Sequence, residues 1–150
     1  KRRNQWKSPF VKAGTTEFEL SDALSSGIEN TQIYSVLGYI YYKKNNIRKA
    51  IESLRKALAL DPKSANARNS LGFILADSET NIEEGISEIK KALSSDPNNP
   101  AYLDSLGWAF FKKNDIANAK EFLTKAFEIS PTNKDIKEHL IKLDQLGYKK

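Results

Sequence analysis

The chain has 150 residues and a formal net charge of +5, and its hydrophobic and charged fractions of 39% and 29% are typical of a folded domain. It contains no cysteine, which excludes disulfide bonds and thiolate metal sites. No apolar run approaches the roughly 20 residues needed to cross a bilayer, because Lys43 and Lys44 end the longest one at residue 42.

The N-terminal segment shows no helical period and contains Pro9 and Gly14, so residues 1–16 are predicted to form an extended arm. Its large aromatic side chains are Trp6 and Phe10. Two interpretations stay open. The aromatic side chains bind in a groove of the same chain or of a second copy, which would give self-association, or the arm is disordered in solution.

A short N-terminal capping element is predicted over residues 17–30. Within it, residues 17–27 have the pattern of a single helix that directs Phe18 and Leu24 inward.

Three segments of 34 or 35 residues repeat along the chain, and they cover residues 31–64, 65–99 and 100–133. Each segment carries a Leu-Gly pair, a later alanine and a closing proline at matching places. These residues are Leu37 with Gly38, Leu71 with Gly72, Leu106 with Gly107, then Ala57, Ala92 and Ala126, and finally Pro62, Pro97 and Pro131. The one extra residue of the second segment falls in the loop 77–81, where an insertion costs little.

Each repeat has the pattern of two amphipathic helices joined by a short turn, and a proline ends the second helix. Small residues at fixed places would let the two antiparallel helices, and the next repeat, approach closely. The predicted repeat-packing residues are Leu37, Gly38, Ala50, Ala57, Leu71, Gly72, Ala92, Leu106, Gly107, Ala119 and Ala126.

This pattern resembles the tetratricopeptide repeat (TPR) family over about 103 of the 150 residues. The second repeat departs from the family pattern most, with Gly85 where alanine is usual. The resemblance implies an all-α fold, a right-handed superhelical stack of antiparallel helix pairs. The run from Asp104 to Trp108 is similar to bacterial members, many of them envelope proteins.

A C-terminal capping helix is predicted over residues 134–148, because an apolar stripe there would cover the last repeat and leave a polar face in water. The stripe consists of Ile136, Leu140 and Leu143. Gly147 is predicted to stop this helix, and His139 is predicted to be a half-exposed surface residue.

The resemblance implies that the first helices of the repeats line a concave groove that binds a partner protein. The predicted groove residues are Tyr39, Tyr42, Asn69, Phe73, Asp104, Trp108 and Phe111. Large aromatic side chains at such places are typical binding anchors. The alternative is that several of them pack between neighbouring helices as ordinary core.

The groove of chaperone-binding family members holds a carboxylate with charged side chains. The matching positions here carry no cation, so this type of partner is not expected. These positions are Ser35, Tyr39, Ser70, Ala101 and Ser105.

The sequence indicates a protein–protein interaction scaffold or assembly factor, and not an enzyme, because one histidine and no catalytic motif are present. No cofactor or metal is expected. An RNA-associated repeat module is the alternative, but Lys43 and Lys112 oppose Asp77 and Asp104, so nucleic acid binding is not expected. By resemblance, we expect a bacterial envelope complex such as a secretion assembly or flagellar motor, with the periplasm or a membrane-anchored location favoured over the cytoplasm.

Overall fold

The structure is a computed structural model that describes residues 16–148, with side chains described as far as residue 146. The predicted arm, with Trp6 and Phe10, lies outside the described residues except for Thr16. The described residues form eight α-helices, so the all-α prediction is confirmed for this part of the chain. The helices are α1 (Glu17–Ser25), α2 (Thr31–Lys43), α3 (Ile47–Leu60), α4 (Ala65–Asp77), α5 (Ile82–Ser95), α6 (Pro100–Lys112), α7 (Ile116–Ile129) and α8 (Lys134–Tyr148).

The helices belong to two compact units, and the boundary between Ser70 and Leu71 falls inside α4. The first unit contains α1, α2, α3 and the first turns of α4. The second unit contains the rest of α4 and all helices from α5 to α8. None of the helices within the described residues combines the length and the hydropathy that a bilayer crossing requires.

In the first unit, α2 and α3 pack side by side in opposite directions. The ammonium of Lys49 lies 5.4 Å from the centre of the Tyr41 ring, which joins the end of α2 to the start of α3. At the other end of the pair, Ala57 packs against Tyr34 and against Ala67 of α4. The small Ala57 side chain therefore lies where the next helix of the unit approaches.

The capping helix α1 packs against α2 with one of its two predicted inward side chains, Leu24, but not with the other, Phe18. Leu20 is buried against Ile33 and Leu37, and Leu24 packs beside it at the next turn. Phe18, which was predicted to point inward, is 78% exposed. The prediction was wrong because Leu20 and Leu24 are four residues apart and share one helix face, whereas Phe18 lies about 200° around the helix from Leu20.

The two helices of each repeat are joined by the same kind of turn, in which a residue with positive φ precedes the N-cap of the next helix. The positive-φ residues are Asn45, Glu79 and Asn114, and the N-caps are Asn46, Asn81 and Asp115. Only the second turn has a residue between them, Thr80, which is the extra residue of that repeat. The turn still closes, because the N–H of Asn81 donates to the carbonyl of Leu75 at 3.1 Å.

The turn into α7 contains a charged N-cap, the carboxylate of Asp115. The side chain and the backbone N–H of Asn118 both donate to the Asp115 carboxylate, and these hydrogen bonds lower the pKa of that carboxyl. Its charged form is therefore favoured in the folded chain.

In the second repeat, two helix backbones approach closely. A Cβ atom on Gly72 would lie 2.6 Å from the carbonyl oxygen of Gly85, and a Cβ on Gly85 would lie 2.6 Å from the carbonyl oxygen of Gly72. The departure at Gly85 therefore lets α4 and α5 pack backbone against backbone. In the third repeat Gly107 instead faces a side chain, because its Cβ would lie 2.6 Å from Leu123 Cγ.

The second unit continues with an antiparallel pair, α6 and α7, against which α8 packs. Leu103 of α6 and Ala126 of α7 form one buried cluster with Ile136 of α8. Leu143, about two turns later on the same face of α8, is also buried. Gly147 was predicted to stop α8, but it lies inside the helix, which continues to Tyr148. All predicted repeat-packing residues, from Leu37 to Ala126, are buried.

We predict that Gly72→Ala lowers the stability of the protein by about 1–3 kcal/mol, because the new methyl group would displace the backbone of α5. Urea unfolding followed by far-UV circular dichroism measures this loss. Ser87→Ala on the exposed side of α5 is the matched control and should leave the urea midpoint nearly unchanged. An unchanged midpoint for Gly72→Ala would show that the two backbones are not packed this tightly.

Candidate partner-binding site

The first unit presents two of the predicted groove side chains on α2. Tyr39 is 56% exposed, and the ammonium of Lys43 lies 5.7 Å from the centre of its ring. Tyr42 follows three residues later and is partly exposed. Because Gly38 faces α3, the next residue along α2 is turned by about 100° away from that contact. Tyr39 is thus directed to solvent by the same register that buries Gly38.

The second unit places Trp108 of α6 in a different environment from the open one predicted. Its side chain is 6% exposed, and its indole N–H donates to Asp77 Oδ1 at 2.8 Å. One stacked neighbour is Phe111, with ring centres 4.8 Å apart, and another is His139 of α8 at 4.2 Å. The ammonium of Lys142 lies 5.5 Å from the ring centre. Trp108 is therefore an interior residue of the site and not one of its open contacts.

Asp104 was also predicted as an open groove residue, but it is 8% exposed. Its carboxylate lies 2.8 Å from Nδ1 of His139. A buried carboxylate needs hydrogen-bond partners to offset the loss of water, and the imidazole is one such partner. His139 of α8 contacts both Asp104 and Trp108, so this one side chain contributes to covering both.

His139 was predicted as a half-exposed surface residue, but only 15% of its side chain is accessible. Its position could have been found from the apolar stripe of α8. It lies three residues after Ile136 and four residues before Leu143, and both of those residues are buried. A histidine at such a position belongs to the inward face of the helix.

The structure describes three further predicted groove residues, two in the second unit and one in the first. Phe111 is partly exposed at the end of α6, where it continues the stack from Trp108. Phe73 of α4 is also partly exposed. Asn69, in the first unit, has a buried carboxamide oxygen with no hydrogen-bond partner among the described residues.

Polar contacts lie beside the aromatic side chains of the second unit. Lys112 forms an ion pair with Glu79 at 3.0 Å, and His139 contacts Asp104. Within residues 16–148 no group of three or more histidine, aspartate and glutamate side chains could hold a metal ion.

A second apolar surface of this unit lies between α5 and α7. It is a cleft of about 660 Å³, with Leu93, Leu103 and Phe122 along its inner side. Ile129 lines its mouth and is 47% exposed. The cleft is formed mainly by the second helices of the repeats, whereas the predicted groove residues lie on the first helices.

Two stretches of the chain match models of repeat families. A model described as TPR repeat matches residues 38–78, and one described as tetratricopeptide repeat matches residues 101–133. No curated protein sequence matches the chain.

Solved structures with the same fold include YrrB, described as a TPR protein with an unusual peptide-binding site. It is 25% identical, with a TM-score of 0.69 over 81% of this chain and 62% of that one. PilW, a widely conserved type IV pilus biogenesis factor, is 26% identical, with a TM-score of 0.77 over 86% of this chain and 60% of that one. This chain therefore spans less than two thirds of either protein.

A third structure, the first TPR of Spaghetti (RPAP3) bound to the HSP90 peptide SRMEEVD, is 18% identical. Its TM-score is 0.67 over 78% of this chain and 92% of that one. At this identity the likeness shows the fold alone.

We predict that Trp108→Phe destabilises the protein by about 1.5–3 kcal/mol, because a phenyl ring cannot donate to the Asp77 carboxylate. Urea unfolding of Trp108→Phe, Asp77→Ala and the double variant measures the coupling between the two side chains. We expect a coupling energy of at least about 1 kcal/mol. Strictly additive losses would mean that the hydrogen bond contributes nothing to stability.

Proposed function

This chain belongs to the tetratricopeptide repeat family, and from that premise we propose that it is a scaffold or assembly factor that binds a peptide or helix of a partner protein. The chain is a protein–protein interaction module. The finer proposal is that aromatic side chains on the first helices of its repeats are the contacts. The observation that carries it is Tyr39, a large aromatic side chain that is 56% exposed on a first helix.

Tyr39 is exposed on its helix, and Phe111 packs against the core of its unit while keeping part of its surface accessible. The residues that join the helices are the buried leucines, glycines and alanines of the repeat pattern. Tyr39 and Phe111 lie outside that set and keep accessible surface. Because aromatic side chains bury much apolar area with few rotatable bonds, they are frequent anchors of protein interfaces. In each unit separately, the accessible aromatic ring offers apolar surface against which a side chain of the partner can be buried.

The chemistry of the site favours an apolar or aromatic segment as the ligand. The positions that match a carboxylate-binding groove include Ser35 and Ala101, which supply no cation. The likeness to YrrB, whose description names a peptide-binding site, supports a peptide as the kind of ligand. Acidic side chains such as Asp77 near the aromatic stack disfavour the polyanion RNA.

We further propose that the partner belongs to a bacterial envelope complex and that the protein acts in the periplasm or at the membrane surface. The likeness to PilW, a pilus biogenesis factor, supports cell-surface assembly. A secretion assembly or a flagellar motor offers the same setting, in which a helical scaffold holds a subunit during assembly.

The peptide-binding proposal predicts that Phe111→Ala weakens the binding of a peptide held by the second unit about tenfold or more, and that Tyr39→Ala does the same for a peptide held by the first unit. Peptides would be selected from a phage-displayed random library against the protein, and enriched peptides would be synthesised with a fluorophore. Fluorescence anisotropy then gives the dissociation constant of each peptide for each variant. Far-UV circular dichroism checks that the helices are intact.

Ile129→Ala is the matched control, because Ile129 is an exposed apolar residue of the same unit that lies at the other cleft. It should leave the dissociation constant unchanged. If Ile129→Ala weakened binding and the two aromatic variants did not, the peptide would bind between α5 and α7, and the proposal would be wrong.

The envelope proposal predicts that alkaline phosphatase fused to the C terminus of the full-length protein is active in living bacteria, because this enzyme folds only outside the cytoplasm. A β-galactosidase fusion at the same place is the control and should be inactive. The reverse pattern of activity would place the protein in the cytoplasm.

A further inference from the structure

The contact between α8 and α6 contains more than a capping helix needs. An apolar stripe suffices to cover the end of a helical stack, and Ile136 and Leu143 supply one in buried positions. Between them α8 also presents His139, which stacks on Trp108 and contacts Asp104. An apolar side chain only covers the surface beneath it. A polar ring also fixes the orientation of the side chains it contacts, because its hydrogen bond and its stacking each prefer one geometry.

The contacts of His139 restrict its ring from two sides. The Nδ1 atom lies 2.8 Å from Asp104 Oδ1, and the ring plane is inclined by 21° to that of Trp108, with centres 4.2 Å apart. Both the imidazole and the carboxylate are largely buried, with 15% and 12% of their side chains accessible. The hydrogen bond thus holds the imidazole over the indole ring.

The stack continues from the buried side chains to an accessible one. Trp108 is held at its N–H by Asp77 and on its ring by His139. Phe111 stacks on the same indole, at 4.8 Å and an interplanar angle of 23°, and is partly exposed. The order of contacts therefore runs from His139 through Trp108 to Phe111, which is a proposed contact of the partner peptide.

We infer that His139 is a positioning residue of the partner-binding site, and that α8 is part of this site and not only the cover of the last repeat. His139 acts through Trp108, whose indole ring gives Phe111 the orientation in which it meets the partner. This inference rests on the proposed function. It adds that the affinity for the partner depends on a helix outside the three repeats.

The test compares three variants. His139→Ala removes both the stacking and the hydrogen bond to Asp104, while His139→Phe keeps a ring over Trp108 without the hydrogen bond. Ile136→Ala removes apolar packing of α8 against Leu103 and Ala126, and it serves as the control for stability. Each variant is measured for its urea midpoint and for its affinity for the fluorescent peptide, selected by phage display, that the second unit holds.

A second readout observes the position of the indole ring without any ligand. The protein is labelled with 5-fluorotryptophan in a Trp6→Phe background, so that the only fluorine resonance is that of Trp108. Broadening or splitting of this resonance reports an indole ring that no longer has a single orientation.

We expect His139→Ala to weaken peptide binding about tenfold or more and to broaden the fluorine resonance. His139→Phe should bind within about threefold of the parent protein and keep one sharp resonance, although its urea midpoint falls because Asp104 loses the imidazole. Ile136→Ala should lower the urea midpoint and leave the affinity unchanged.

If His139→Ala binds as the parent does while Phe111→Ala does not, this inference is wrong and the proposed function stands. Equal loss of affinity in His139→Ala and Ile136→Ala would likewise reject it, since α8 would then act only through stability. If Phe111→Ala also binds normally, the proposed aromatic contact is wrong. The fluorine resonance then decides alone whether His139 orients Trp108, and an unchanged resonance in His139→Ala rejects that role.

Discussion

The close approach of paired helices is the constraint on which the rest of the structure depends. At Gly72 and Gly85 the backbones of α4 and α5 leave no room for a single methyl group, and Gly107 leaves none beside Leu123. Such contacts define which face of each helix is turned to its partner. Once Gly38 faces α3, the neighbouring Tyr39 must point elsewhere, and it points to solvent. The accessible aromatic side chains are thus a consequence of the register that packs the small ones.

The helices and their pairing could be predicted from the sequence, because the signals are local and recur three times. Helical spacing of apolar residues, a glycine at one place and a proline at the end all lie within one repeat. The environment of Trp108 and Asp104 could not be predicted in the same way. Their hydrogen-bond partners lie 31 and 35 residues away along the chain. Only the packing of α8 and α4 onto α6 decides that these two side chains are covered.

His139 shows that residue type alone does not predict which face of a helix is buried. A polar residue beside an apolar stripe is usually placed in water when only composition is considered. The structure turns His139 inward, because it lies on the same helix face as the buried Ile136 and Leu143, and its ring there meets the carboxylate of Asp104. The converse error occurred at Phe18, where a large apolar residue was assigned to the interior and the helix register exposes it. In both cases the spacing along the helix was a better guide than the residue type.

The turn between α4 and α5 shows how a repeat tolerates a change of length. Thr80 is accommodated between the left-handed Glu79 and the N-cap Asn81, and the helices on either side keep their close packing. A change of repeat length by one residue is therefore absorbed at this bend and leaves the helix interiors untouched. The same bend is a suitable attachment point for a spectroscopic label or an epitope tag, since lengthening it leaves the neighbouring register intact.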